Sequence, residues 1–458
     1  KPLIVAKVGR TAEASTAALS HTATLAGSYQ AYEGVFAHHG VTLVDDPDQL
    51  VDVANVFALS KGRSAAGKRV GILTASGGAG IWMTDLCVAA GLDVVELDTA
   101  TREALESLMP VYGNSRNPVD ITAQGVFGFG YAKPLEILAA SPKVDVLVVT
   151  CSMARPRAID EDYENLRRLS SSIQKPVVFC GYTEMHPQVA SRLVQLGFPC
   201  TEDMPNAAKA LAALADFEAA RQRMSQRRPV SSEPGADVHH AINAEGAVLC
   251  EHRARRVLEL AGITLPPARL AASAQDAAAF AHDFGSPVAL KLQSPDLVHK
   301  TDVGGVHLGV YGDEPVTQAY EAIVTAARTA NASAQIEGVL VQPMAPPGVE
   351  VVVGVSRDPD FGPMLMVGIG GVFVEVLRDV VFSPVPLSAA DAHALLNRLH
   401  ARAVLDGVRG SQPADREALV DLLVRVSVLA AQIGDQVAEI DLNPVVVHPI
   451  GGGVSVLD

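Results

Sequence analysis

The sequence predicts two kinds of fold in one chain: α/β units built on parallel sheets over the first half, then an α+β domain with antiparallel pairing. Three observations carry this reading. From residue 3 to residue 196, short apolar runs alternate with helix-patterned segments, and strands separated by helices pair in parallel under cover on both faces. Residues 221–240 mix arginines with Pro229, Ser231, Ser232, Pro234 and Gly235, the composition of a linker. Beyond the linker, apolar runs follow one another without a helix between them, as at 338–342 and 351–355, which calls for antiparallel neighbours.

A chain of 458 residues exceeds one ordinary core, so several domains are expected. With 48% hydrophobic, 19% charged and 5% aromatic residues, the composition is that of a folded soluble protein. The net charge of −15 argues against nucleic acid or an anionic membrane surface as the main partner, while leaving small anions to local sites. Cys87, Cys151, Cys180, Cys200 and Cys250 are scattered without metal-site spacing and read as thiols of a reducing cytoplasm. The longest apolar stretch, 364–377, is broken by glycines and Glu375 and is too short to span a bilayer.

Taken in order, residues 3–6 form a strand, and an alanine-rich segment reaching Gly27 carries Ser20-His21-Thr22 at its centre. Small neighbours leave the His21 imidazole approachable, and a neutral ring nitrogen is a competent nucleophile toward phosphorus; a histidine at rest on a helix surface is the plain alternative. A helix over 29–39, a strand over 41–44 and a helix over 47–60 follow, then the small-residue linker 62–68. The strand 69–74, the turn 75–80 containing Gly77-Gly78, and a helix over 81–90 come next. That order aims backbone N–H groups and a helix N-terminus at one point, which suits a phosphate. Strands at 93–97, 144–151 and 177–180 and helices at 99–109, 131–140, 159–172 and 188–196 complete the alternation. The turn Asn117-Pro118-Val119-Asp120 lies at a strand's carboxyl end, where such sheets bind ligands, or is a rigid turn with capping groups.

In the second half, helices over 244–261 and 273–284 lead into the apolar run 288–293, which contains Lys291. A lysine inside a buried strand needs an anionic partner, and a nucleotide phosphate is a candidate; a snorkelling side chain is the alternative. The loop after it offers His299, Lys300, Thr301 and Asp302 before Gly304-Gly305, where backbone can approach a ligand closely. Strands at 306–311, 338–342 and 351–355, a helix at 315–330 and a closing hairpin follow. In that hairpin Asn443 and Asp458 face each other, with Glu439 and Asp441 on the same strand face as Asn443. Such hard oxygen donors suit a magnesium ion shared with nucleotide phosphates, or are simply polar groups on an edge strand.

These motifs together resemble one family. The run from Lys291 through His299 to Val306, Arg357-Asp358-Pro359-Asp360-Phe361-Gly362-Pro363 and Glu439-Ile440-Asp441-Leu442-Asn443-Pro444 are similar to the ATP-grasp part of the NDP-forming acyl-CoA synthetases, relatives of succinyl-CoA synthetase. Gly9-Arg10 through Ser20-His21-Thr22 resembles that family's phosphohistidine segment, and 69–80 with Asn117–Asp120 its second ligase domain. The resemblance implies α/β flavodoxin-like ligase domains with parallel sheets followed by an α+β ATP-grasp domain. Their expected bounds are 1–62 for part of the first ligase domain, 63–225 for the second, 226–240 for a linker and 241–458 for the ATP-grasp domain.

It also implies an ADP-forming acid–CoA ligase that turns ATP, a carboxylic acid and CoA into ADP, phosphate and acyl-CoA. His21 would carry the phosphoryl group, with His299 as a second carrier beside ATP and Glu439 orienting a visiting histidine. Lys291 and Glu350, with Gly304 and Gly305, would hold the nucleotide. Gly77 and Gly78 would steady the phosphate on His21, and Asn443 and Asp458 would bind Mg2+. Two features depart from the pattern: Ala23-Thr24 follows Ser-His-Thr where the family has glycine, and the CoA-binding domain that precedes the first ligase domain is absent from this sequence, as is that domain's first half. Homo-oligomerisation, or association with a CoA-binding part, is therefore expected. A nucleotide- or acyl-CoA-sensing module without turnover and a CoA-using lyase on the same scaffold are the competing functions.

Overall fold

A computed structural model describes residues 1–11, 13–14, 28–60, 62–227, 236–243, 248–370, 379–408 and 410–458. The chain divides into two compact units, Lys1–Ala26 with Phe36–Gln226, and Gly27–Val35 with Arg227–Asp458.

The first unit is built on a parallel sheet in the order Asp93–Val94, Arg69–Thr74, Val146–Cys151, Val177–Gly181, Cys200–Thr201. All six residues of the central strand Val146–Cys151 are buried, which is why it reads as an unbroken apolar run. Alternate side chains feed two cores. Leu73, Leu147, Val149 and Phe179 pack with Leu135, Leu138, Leu166 and Leu169, while Ile72, Val148 and Val178 pack with Val53, Val56, Met83 and Leu211. A separate parallel pair joins Ile4–Ala6 to Thr42–Val44.

The outer edge of Arg69–Thr74 is finished in pieces. Its start pairs with Asp93–Val94 and its end with Val119–Asp120. Between them the Asn117 side chain takes the place of a strand: its Oδ1 accepts from Ile72 N–H at 2.9 Å, and its Nδ2 donates to Val70 O at 2.8 Å and Val95 O at 3.0 Å. Of the two readings of the Asn117 turn, the structural one accounts for this side chain.

Among the elements that differ from expectation, two bear on the sites and the domain boundary. The helix placed over 81–90 spans Gly77–Ala89, so the glycine pair forms its first turn instead of a loop before it. The linker composition from 221 onward conceals the end of a 23-residue helix, Met204–Gln226, and a second helix covers Ala236–Asn243. Arginine, glutamine and methionine are good helix formers, and burial of Ala207, Ala208, Leu211 and Ala215 anchors the long helix.

The second unit contains two antiparallel sheets. The first runs Val306–Val310, Val288–Gln293, Gly338–Pro343, Arg269–Ala271, with Val288, Leu290 and Leu292 packed on helices Ala274–Phe284 and Asp313–Ala330. The second runs Val380–Pro384, Gly362–Ile369, Val349–Asp358, Glu439–Val447, Val454–Val456. Its core face, with Val351, Val353, Leu442 and Val445, packs on helix Arg416–Ile433 through Leu419, Leu423 and Val426. Adjacent strands without helices between them thus pair as the sequence pattern requires.

Candidate functional site

The chemistry-bearing groups of the second unit gather where strand Val288–Gln293 meets the closing hairpin. The strand buries both faces. Its even-numbered residues supply the aliphatic core, while Ala289, Lys291 and Gln293 turn the other way. Lys291 is 4% exposed, and all three of its N–H groups are engaged. Nζ donates to Glu251 Oε1 at 2.7 Å, to Gln342 Oε1 at 2.9 Å and to the Leu457 carbonyl. Leu340 is the direct partner of Lys291 across the sheet, which leaves Gln342 as its diagonal neighbour on the same face.

Glu251 lies in the first turn of helix Glu251–Leu260, where the helix dipole favours a carboxylate. Its second oxygen, Oε2, accepts from Lys300 Nζ at 3.1 Å, and Lys300 reaches Asp458 Oδ1 at 2.5 Å. Burial alone would lower the pKa of the Lys300 ammonium, but the charges of Glu251 and Asp458 outweigh it and hold it above the ordinary lysine value. The result is a chain of alternating charges, Lys291–Glu251–Lys300–Asp458. Beside it the buried Gln342 Nε2 has no hydrogen-bond partner among the described residues. An orphaned donor next to two cations is where an anionic acceptor fits.

The loop carrying Lys300 explains Gly304 and Gly305. Gly304 has φ +68°, in the left-handed region, and a Cβ on Gly305 would come within 2.9 Å of Lys300 O and 3.0 Å of Leu292 Cβ. Their N–H groups are spent inside the loop, on Thr301 O at 3.2 Å and Lys300 O at 2.7 Å, and Leu292 N–H takes the Gly305 carbonyl at 2.8 Å. These glycines fold the loop that places Lys300. His299 is exposed on the same loop.

The hairpin brings Asn443 opposite Asp458, with Asn443 N–H donating to Asp458 O at 3.2 Å and Leu457 N–H to Pro444 O at 3.0 Å. Glu439, Asp441 and Asn443 share the solvent-facing side of their strand, and the pairing of Glu350 with Val446 and of Gly354 with Asp441 puts Glu350 on that side too. Desolvation, then the charges of Glu439 and Asp458, raises the pKa of the Asp441 carboxyl. Among the described residues no three His, Cys, Asp or Glu side chains are preassembled around a metal position. One carboxylate and one amide are nevertheless enough where phosphate and water supply the remaining ligands.

In the first unit, helix Gly77–Ala89 starts at the carboxyl end of Arg69–Thr74. Its N-cap residue, Ser76, makes no side-chain capping bond. A Cβ on Gly78 would meet nothing within 4 Å, and one on Gly77 would lie 3.3 Å from Asp120 Oδ2. The first-turn N–H groups are thus presented without bulk around them. His21 lies outside the described residues.

Sequence reasoning missed Glu251, Gln342 and the partnership of Lys300. Glu251 and Gln342 sit in ordinary helix and strand patterns; the usable signal was a lysine within a buried strand, which obliges a carboxylate to exist somewhere in the chain.

Three family models match the chain: a succinyl-CoA ligase-like flavodoxin domain over residues 1–57, a ligase-CoA domain over 70–210 and an ATP-grasp domain over 240–458. Over 99% of its length the chain is 35% identical to an ADP-forming acetate–CoA ligase of Archaeoglobus fulgidus, covering 65% of that protein. It is 31% identical over its whole length to an ADP-forming 4-hydroxybutyrate–CoA ligase of Nitrosopumilus maritimus, covering 66% of it. Over 47% of the chain it is 41% identical to the β subunit of an ADP-forming acetate–CoA ligase of Pyrococcus furiosus, covering 92% of that subunit. The chain thus spans a little under two thirds of the two longer relatives.

Proposed function

We propose that this chain, which belongs to the ADP-forming acyl-CoA synthetase family, carries the phosphoryl-transfer machinery of such an enzyme: ATP, a carboxylic acid and CoA give ADP, phosphate and acyl-CoA. The observation that supports this reading best is the buried charge chain from Lys291 to Asp458 with the unpartnered Gln342 amide beside it. The unpartnered Gln342 amide beside the Lys300 ammonium supplies donors that suit a polyphosphate.

A carboxylate does not acylate a thiol unaided. Joining it to phosphate creates a leaving group, and an imidazole carrier lets that step proceed away from ATP. In this reading His21 takes the phosphoryl group on a ring nitrogen, and the first-turn N–H groups at Gly77 and Gly78 neutralise its charge. His299 serves as the second carrier next to the nucleotide, Glu439 orients an imidazole there, and Glu350 and the array anchored by Lys291 hold the nucleotide. Asn443 and Asp458 are the residues that would hold Mg2+, which neutralises phosphate charge when bound.

We assign residues 1–62 and 63–225 to two ligase domains, 226–240 to a linker and 241–458 to the ATP-grasp domain. Some relatives are divided into α and β subunits, and the protein works as a homo-oligomer or in association with a CoA-binding part. The described cysteines are all free, which suits a reducing cytoplasm, and no helix among the described residues is long and apolar enough to cross a membrane.

Incubation with γ-labelled Mg-ATP should give an acid-labile, base-stable protein phosphate that is lost when His21 and His299 are both replaced by Gln. Binding of ATP with no label on any histidine would instead favour a sensing module.

A further inference from the structure

The nucleotide reading leaves unexplained the residue at the centre of the array. Glu251 touches both lysines, one with each oxygen, at 2.7 and 3.1 Å, and its side chain is 7% exposed. Lys291 has spent its three N–H groups, on Glu251, Gln342 and Leu457. Lys300 has not: among the described residues its hydrogen bonds go to Glu251 and Asp458, which leaves a third N–H, and its side chain is 16% exposed against 5% for Lys291.

The two lysines therefore differ in what they can do. Lys291 is a fixed post, locked between a helix start, a neighbouring strand and the hairpin backbone. Lys300 sits on a loop and has a donor to offer. A carboxylate shared between a fully bonded ammonium and one with a donor to spare sets the position of the second, because the lone pairs of its two oxygens point in fixed directions.

Resting on the nucleotide reading above, we propose that Lys300 is the lysine that contacts the polyphosphate, and that Glu251, braced by Lys291, is the positioning residue that aims it. Lys291 then acts through Glu251, and its burial is the means by which the clamp is held rigid. Glu251 also lowers the net positive charge of the pocket, so that a bare lysine pair does not trap whatever small anion arrives first.

The proposal separates from a merely structural role for Glu251 by non-additivity. Mg-ATP affinity is measured by calorimetric titration on the full chain for wild type, Lys300→Met, Glu251→Gln and the Glu251→Gln/Lys300→Met double variant. Each single substitution should weaken binding at least tenfold. In the Lys300→Met background, Glu251→Gln should add less than threefold, because its effect runs through the lysine already removed. Additive losses, or a Glu251→Gln variant within twofold of wild type while Lys300→Met binds poorly, would overturn it. Should Glu251→Gln fail to fold, Glu251→Leu/Lys291→Met removes both buried charges together. It should still bind weakly, and wild-type affinity in that variant would equally overturn the proposal. A wild-type chain that does not bind Mg-ATP refutes the nucleotide reading itself and this inference with it, a result distinct from intact binding with additive losses.

Discussion

Replacing Lys291 with methionine tests the site through stability before any substrate is added. The substitution keeps much of the side-chain volume and removes the ammonium, so Glu251 Oε1, Gln342 Oε1 and the Leu457 carbonyl lose their donor together. Removing one member of a buried ion pair costs about 3–5 kcal/mol. Glu251 keeps Lys300 as a partner, which offsets part of that loss, while two carbonyl-type acceptors are stranded at about 1 kcal/mol each. The net expectation is about 2–4 kcal/mol of destabilisation. Guanidinium denaturation followed by far-UV circular dichroism measures it, reading the transition that Lys291→Met shifts and not a single global value, because the chain has two compact units. Adding Glu251→Leu to Lys291→Met should recover part of the loss, since the buried carboxylate oxygen that lost its donor goes with it. A Lys291→Met protein within about 0.5 kcal/mol of wild type would mean that the ammonium reaches water, and the reasoning about the array would fail.

Asn117→Ala should cost the first unit about 2–4 kcal/mol, because Ile72 N–H and the carbonyls of Val70 and Val95 lose their partners at once; a melting temperature unchanged to within about a degree would refute it. Asp98 caps helix Thr99–Glu106, and hydrogen bonds from Ser141 and then Thr101 depress its pKa from 3.8 to about 2. Its contribution, about 1 kcal/mol, is present above the unfolded value and lost as pH falls through the folded one. The stability gap between wild type and Asp98→Ala should therefore be full at pH 6 and close between about pH 4 and pH 2, and an undiminished gap at pH 2 would count against the assignment.

What the sequence revealed followed from short-range rules. The all-buried strand Val146–Cys151 announces itself by composition, and the opposition of Asn443 and Asp458 follows from counting outward along a two-stranded hairpin. What it concealed depends on distant partners. Glu251 lies 40 residues from Lys291 on a helix with an ordinary pattern, so nothing local distinguishes it from a solvated glutamate. Asn117 reads as a turn residue because the gap it fills exists only after two other strands have paired. Arg221 and its neighbours look like linker until the apolar face of the preceding turns commits them to a helix.

The edge of Arg69–Thr74, shared between two short strands and one amide, has a consequence for where the connection beside it tolerates change. Between Val95 and Asn117, Leu97 and Leu105 are packed in the core, so the place where this connection can change length while the ladder keeps its alignment is the exposed turn at Val111 and Tyr112. Variation there leaves the sheet and the helix start at Gly77 undisturbed.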